Sequence, residues 1–328
     1  MMQAIRIHTY GGPEVMHLEE IALPEPGPNQ IRVRVVVAGV NFSDAATRRA
    51  PHPFFPSELP LALGNEGAGF VEAVGSGVTT VQEGDRVAWA WVHGSYATHV
   101  LAPVQQVFPI PATITFEQAV ALIMQGSMAH VLCRSVYPLK PTDTCLIQSV
   151  AGGVGLLLCQ LAKISGAHVI GVTSTAEKAQ VAREVGADHI LLYSQEDVKT
   201  CVRSLTQERG VNVVYDAVGK ATFETNLDCL AIRGTFVLYG AASGPVPPFH
   251  VYTLAEKGSL FLTQVALVHY IRSGELPHIL QDLFRLVNEG ALRLHIGATF
   301  PLADAARAHE VLEQGQTIGK VLLYPQED

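Results

Sequence analysis

The chain has 328 residues, 48% of them apolar and 16% charged. That length favours one to three domains, and that composition is too hydrophobic and too weakly charged for a disordered chain. A net charge of −8 argues against a nucleic-acid surface driven by bulk electrostatics, so positive groups facing an anionic ligand have to be local.

Met1 to Tyr10 carries Arg6 and His8 in an alternating pattern, without the apolar core and small-residue cleavage site of a signal peptide. No uninterrupted apolar run reaches the roughly 18 residues of a membrane span. Residues 1–120 then read as β-rich. Gln30-Ile-Arg-Val-Arg-Val-Val-Val37 alternates and becomes fully apolar, as a strand entering a core does. Gly67 to Val74 and Asp85 to Trp91 behave alike, separated by turn signals at Pro24-Glu-Pro-Gly-Pro28, Gly75-Ser-Gly77 and Glu83-Gly-Asp85. Trp89 and Trp91, two apart on such a strand, face the same side and read as core or interface packing. Short strands with this punctuation predict a barrel or sandwich.

From residue 121 the pattern changes. Ala119 to Val136 has helical spacing, and Thr144 to Val150 is a short buried strand. A helix from Leu156 to Ser165, a strand at His168–Thr173 and a helix from Ala176 to Val185 follow. Further strands are predicted at His189–Tyr193, Val211–Tyr215 and Thr235–Tyr239. This alternation implies a doubly wound parallel sheet, so the fold class is α/β. Ser259–Thr263 is one more strand, Leu276–Val287 and Leu302–Leu312 are amphipathic helices, and Gly319–Tyr324 is a last strand. The expected domains are residues 1–120, a nucleotide domain over 121–262, and 263–328 returning to the first. The five cysteines, Cys133, Cys145, Cys159, Cys201 and Cys229, are odd in number and widely spaced. They read as free thiols of a reducing cytoplasm.

Thr144 to Gly155 carries the chemistry most clearly. A buried strand ends, glycines follow and a helix begins, the setting in which backbone N–H groups and a helix N-terminus meet a pyrophosphate. Gly152 lets backbone approach the phosphates, and Gly155 lets the helix lie close to the strand. The pattern's first glycine is replaced by Val150. An NAD enzyme usually places Asp or Glu about 20 residues on, but here Ser174 stands 22 residues after Gly152. Ser174 can hydrogen-bond a 2′-phosphate, Lys178 can supply charge and Tyr193 can add a hydroxyl, which points to NADP(H). Glu177 would favour NAD if it turned inward, and Lys178 taken alone is an ordinary solvated helix lysine.

No metal site is expected. A catalytic zinc needs about three converging N, S or O ligands. Residues 1–120 hold no cysteine, and His8, His17, His52, His93 and His99 form no close set. Without a metal, the hydride acceptor has to delocalise charge itself, as a quinone or conjugated enone does.

Gly11-Gly-Pro-Glu-Val15, Gly39-Val-Asn-Phe-Ser-Asp44, Gly64-Asn-Glu-Gly-Ala-Gly69, Val74-Gly-Ser-Gly-Val78 and Glu83-Gly-Asp-Arg-Val87 stand in that order. Ala151-Gly-Gly-Val-Gly155, Val214-Tyr-Asp-Ala-Val-Gly219, Lys257-Gly-Ser-Leu260, Ala308-His-Glu-Val-Leu312 and Gly319-Lys320 continue it. Together they resemble the zinc-independent quinone oxidoreductases of the medium-chain dehydrogenase/reductase superfamily, the group that includes zeta-crystallin, over nearly the whole chain. The resemblance implies a GroES-like β-barrel catalytic domain with a Rossmann domain inserted, and a nicotinamide in the cleft between them. It implies NADPH-dependent quinone reduction by a cytoplasmic homodimer. Zinc-dependent relatives carry Cys where this chain has Asn41, and Gly-His-Glu where it has Gly64-Asn65-Glu66.

The same resemblance assigns site residues. Asn41 and Asp44 fall near the nicotinamide as catalytic candidates, Asn41 also touching the cofactor. Ser127 contacts the cofactor at a position usually held by Thr, and Gly152, Gly153 and Val154 cradle the pyrophosphate. Ser174, Lys178 and Tyr193 match the 2′-phosphate pocket, with Val218 and Gly219 by the adenosine. Tyr239, Gly240, Ala241 and Ala242 lie near the nicotinamide, whose carboxamide Leu262 and Thr263 touch by backbone. Lys320 approaches the ribose or phosphates. Ala46, where some members have an aromatic residue, and the proline-rich loop 51–60 are expected at the acceptor pocket.

On the residues alone, Asn41 is a plain Asx turn and Asp44 a helix cap. Two other functions are open: an enone or enoyl double-bond reductase, and a non-catalytic NADPH-binding protein of crystallin type.

Overall fold

The computed structural model describes residues 1–51 and 58–325. The chain forms two compact units, Met1–Met124 with the segment from Leu294 onward, and Gln125–Arg293.

Unit 1 begins with β1 (Met2–Ile7), β2 (His17–Ile21), β3 (Gln30–Val40), α1 (Phe42–Arg49), β4 (Leu61–Ala62), β5 (Glu66–Val74), β6 (Arg86–Ala90), β7 (His99–Pro103), β8 (Val107–Pro109) and α2 (Phe116–Ala121). Along β3 the side chains alternate between half-buried and buried up to Val37, and the last three residues are all buried. That is the predicted change from a one-sided to a two-sided strand. β3 is central because it pairs with β5 and β7, both antiparallel. β1, β2 and β4 form a separate three-stranded sheet.

Unit 2 contains α3 (Ser127–His130), β9 (Thr144–Ile147), α4 (Gly153–Ile164), β10 (His168–Thr173), α5 (Ala176–Glu184), β11 (His189–Leu192), α6 (Val198–Leu205), β12 (Val211–Asp216), α7 (Phe223–Cys229), β13 (Leu230–Leu238), α8 (Tyr252–Glu256), β14 (Phe261–Gln264), α9 (Leu267–Arg272) and α10 (Leu276–Asn288). Its strands run in the order β11-β10-β9-β12-β13-β14, and every pairing is parallel. This is the doubly wound nucleotide-binding order, with its reversal point between β9 and β12. The chain then re-enters unit 1 through β15 (Ile296–Pro301), α11 (Ala305–Glu313) and β16 (Lys320–Tyr324). β16 pairs antiparallel with β3.

The structure differs from the expectations at three points. The return to the first unit comes at Leu294 rather than 263, because β14 extends the parallel sheet beside β13 and α10 packs on α3. The first boundary falls at Met124 rather than 120, inside one continuous helix, Phe116–Val136, which has π turns over Leu122–Gly126 and Val131–Val136. Trp91 lies beyond the end of β6 with φ of 62°, so only Trp89 follows the predicted strand alternation. Trp89 is fully buried and donates to Ser95 Oγ at 2.9 Å.

By length and apolarity the 116–136 helix could cross a membrane, but 67% of its apolar window is buried inside the protein. His52 lies outside the described residues, as does most of the loop 51–60.

Candidate functional site

The turn after β9 has the geometry of a phosphate cradle. Ser149 takes a positive φ of 52°, and its carbonyl accepts the Gly152 N–H at 2.9 Å. Gly152 is the extended residue from which α4 starts, so the first N–H groups of a twelve-residue helix point outward there. A Cβ on Gly152 would meet only the Ser149 oxygen, at 3.2 Å, leaving this face open. A Cβ on Gly155 would lie 2.7 Å from the Val150 oxygen, so only glycine lets α4 run so close to the strand. The departure at Val150 is absorbed by another glycine: a Cβ on Gly171 of β10 would strike the Val150 side chain at 2.7 Å.

The other expected cofactor residues of unit 2 gather mainly at the same carboxyl edge of the sheet. Ser174 follows β10 and Tyr193 follows β11, and the last residues of those strands, Thr173 and Leu192, are register partners. Ser174 is half-buried, and Tyr193 is exposed. Lys178 lies in the first turn of α5, its N–H donated to Thr175 Oγ1 at 3.3 Å. Burial holds its ammonium below the usual lysine range, with Glu177 opposing. A cation in a first turn also opposes the helix dipole, so an anion bound there would relieve both penalties.

Val218 and Gly219 follow β12. Their N–H groups are held by the Asp216 carboxylate, at 2.6 Å to Oδ1 and 3.3 Å to Oδ2. Thr222 and Asn226 also donate to Asp216 Oδ2. Burial pushes Asp216 up, and these donors pull it back. Tyr239 to Ala242 follow β13, pinned where the Tyr239 N–H meets the Asp216 oxygen at 2.9 Å and the Ala242 N–H meets the Ala217 oxygen at 3.0 Å. Leu262 and Thr263 lie within the edge strand β14 rather than past its end. Ser127 is fully buried, immediately after the first π turn.

Asn41, Asp44 and Lys320 belong to unit 1, in a polar network sunk into an apolar core. Asn41 caps α1, and Asp44, three residues on, accepts the Asn41 N–H at 2.8 Å. Asp44 is fully buried and also accepts from Asn65 Nδ2 at 2.7 Å and the Tyr96 hydroxyl at 3.0 Å. Burial pushes its carboxyl up to about 7; the Glu66 charge adds to this, and the Asn41 N–H and Tyr96 hydroxyl work against it.

Behind Tyr96 stands His309, on α11. Arg48 carries only N–H groups, so His309 Nδ1, 2.7 Å from it, has to accept. Nε2 therefore carries the hydrogen and donates to the Tyr96 oxygen at 3.1 Å. Burial, together with the charges of Arg48 and Arg49, holds His309 down at about 3, so it is neutral. Glu313 accepts from Arg48 at 2.8 Å and closes the chain of contacts.

Lys320, expected at a cofactor ribose or phosphate, is only 1% exposed. Its ammonium donates to Glu66, to Asn41 Oδ1 at 3.2 Å and to the Val40 oxygen at 3.3 Å. Those three acceptors use all three of its hydrogens, so in this structure Lys320 is held in a buried ion pair with Glu66. Ala46 is on the exposed side of α1.

These residues do not fit a zinc ion. Asn65 is committed to Asp44, and the Asn41 amide oxygen faces an ammonium that would repel a cation. Carboxamides are also weak zinc ligands beside thiolate and imidazole.

Sequence reasoning missed Arg48, Glu66, Tyr96 and His309 as site residues. For His309 a signal existed, since it shares a helix face with the buried Ala305, Ala308 and Leu312, an odd place for an unpartnered imidazole.

Residues 27–112 match the family profile described as alcohol dehydrogenase GroES-like domain, and residues 153–289 match that described as zinc-binding dehydrogenase. The chain is 44% identical to a quinone oxidoreductase of Pseudomonas aeruginosa, over 99% of this chain and 100% of the relative. It is 40% identical to a 2-haloacrylate reductase of a Burkholderia species, again over 99% and 100%. The crystal structure of Escherichia coli quinone oxidoreductase complexed with NADPH aligns with a TM-score of 0.95 at 40% identity, covering 98% of this chain and 100% of that one.

Proposed function

The chain belongs to the quinone oxidoreductases of the medium-chain dehydrogenase/reductase superfamily, and from that premise we propose that it reduces quinones or related conjugated carbonyls without zinc, as a cytoplasmic homodimer. It is an oxidoreductase whose cofactor is NADPH.

The observation that carries this reading is the strand-end chemistry of unit 2. The open Gly152 turn and the N-terminus of α4 suit the pyrophosphate. The end of β10 offers Ser174 and the desolvated Lys178 where an NAD enzyme places an acid. When bound, NADPH supplies the hydride. Unit 1 supplies Asn41, whose amide is suited to meet the oxygen that gains negative charge, and Asp44, which fixes the Asn41 backbone. Carboxamides and an ammonium at these positions are poorly suited to hold a Lewis acid, which favours an acceptor able to spread the charge itself.

The homodimer is supported by β14, an edge strand with Phe261 56% exposed, since an open edge is a pairing surface. The cytoplasm is supported by five free cysteines, four of them buried. A second reading, reduction of an activated carbon–carbon double bond, is favoured by the name of the Burkholderia relative.

The test is steady-state oxidation of NADPH with 1,4-benzoquinone, 9,10-phenanthrenequinone and 2-chloroacrylate. Faster turnover of the quinones supports the first reading, and faster turnover of the acrylate the second. A protein that binds NADPH and turns over none of a broad quinone and enone panel is a binding protein. Two further outcomes are expected. Lys178→Ala raises the KM for NADPH about tenfold or more and leaves that for NADH nearly unchanged, the loss of one charge-assisted contact to phosphate. Equal effects on both nucleotides would remove Lys178 from the phosphate pocket. Active protein retains its rate after prolonged chelation, and elemental analysis finds no stoichiometric zinc.

A further inference from the structure

Three adjoining strands of unit 1 place a buried ion pair against the Asn41 amide. β16 pairs with β3, and β3 with β5, with Val321 opposite Val40 and Ala38 opposite Gly67. Lys320 opens β16, Asn41 follows β3 and Glu66 opens β5, so the three side chains meet at one end of the sheet. Glu66 is 0% exposed.

The pair reads both ends of the amide. Asn41 Oδ1 accepts from the Lys320 ammonium at 3.2 Å, while Nδ2 donates to Glu66 Oε1 at 2.6 Å. Turning the amide over would set NH2 against the ammonium and C=O against the carboxylate, so one orientation is enforced. Gly39 makes the room: a Cβ there would lie 2.7 Å from both Lys320 Nζ and Glu66 Cδ. A buried ion pair adds little net stability over apolar residues of the same volume, so orientation of its polar neighbour is the better account of its place in the core.

We propose that Lys320 and Glu66 are positioning residues, a buried ion pair that locks the orientation of the Asn41 amide toward the acceptor. The inference rests on the reading of Asn41 given above.

The test replaces both members with methionine, Glu66→Met with Lys320→Met, in the wild-type and Asn41→Ala backgrounds of the full chain. In the wild-type background, kcat with 1,4-benzoquinone is expected to fall roughly tenfold to a hundredfold, less than the roughly hundredfold to thousandfold cost of removing an oriented donor outright, because the amide stays and only its orientation is lost. The Kd for NADPH, read by nucleotide fluorescence, should change less than about threefold, since no phosphate contact is lost. In the Asn41→Ala background the same double replacement should cost nothing further, because there is no amide left to orient.

Equal losses of kcat in both backgrounds would make the pair merely structural. A tenfold rise in the NADPH Kd with kcat held would make Lys320 a cofactor contact. Either result overturns the proposal. Wild-type protein inactive on every acceptor overturns the functional reading itself, and the inference with it. Should the double variant fail to fold, Gly39→Ala, which crowds the pair without removing a charge, is expected to give the same kcat loss at constant NADPH Kd. Unchanged kcat in that variant overturns the proposal.

Discussion

Lys320→Met alone is expected to lower the unfolding free energy of unit 1 by about 3–5 kcal/mol, and adding Glu66→Met to restore most of it. The single change strands a carboxylate that is fully buried. Glu66 Oε2 already has no hydrogen-bond partner, so without Lys320 the group keeps only the hydrogen bond from Asn41 Nδ2 on its other oxygen. The double change removes both charges and leaves apolar groups of similar length in a space lined by strands. Both tryptophans, Trp89 and Trp91, belong to unit 1, so denaturant unfolding followed by tryptophan fluorescence reports this unit directly. A single variant within about 1 kcal/mol of wild type, or a double no more stable than the single, would mean that the pair is solvated in solution.

The reach of sequence reasoning follows the range of the interactions concerned. Hydrophobic period and glycine stops located α4, β10 and α5 to within a few residues, because those signals are local. The reversal of strand order between β9 and β12 is a global property of the sheet and has no local mark. The expected return at 263 and the compact-unit boundary at Leu294 differ by 31 residues, because β14 and α10 look the same from their own periodicity whichever domain they join. Lys320 shows the sharper limit. The family resemblance places it toward a ribose or phosphate, and nothing local announces Glu66, its ion-pair partner 254 residues away. Asp44 was legible as a cap because the cap is three residues long. Its burial, which changes its chemistry, depends on Tyr96 and Asn65, and no spacing announces them.

That burial has a measurable consequence in Asp44→Asn. In the unfolded chain the Asp44 carboxyl ionises near its ordinary value of 3.8, whereas in the folded protein burial pushes it up to about 7. Between those values the folded state holds a proton that the unfolded state has released. Stability therefore falls as pH rises through this window, and the contribution is fully present only below the unfolded value. His309 acts in the opposite sense. Its folded pKa is held down at about 3 against 6.5 unfolded, so the unfolded chain takes up the extra proton and stability falls as pH drops below about 6.5. The two residues, joined through Tyr96, partly cancel from about pH 4 to 6.5 and flatten the wild-type profile there. Asparagine at position 44 removes one of them and exposes the other. From pH 5 to 7 wild type should lose about 2–3 kcal/mol relative to Asp44→Asn, at roughly 1.4 kcal/mol per pH unit for one proton. Below pH 6 the variant should destabilise more steeply than wild type. Tryptophan-detected urea unfolding across this range gives the difference directly. Parallel profiles would show that Asp44 is ionised in the folded protein throughout, held so by the three donors around it.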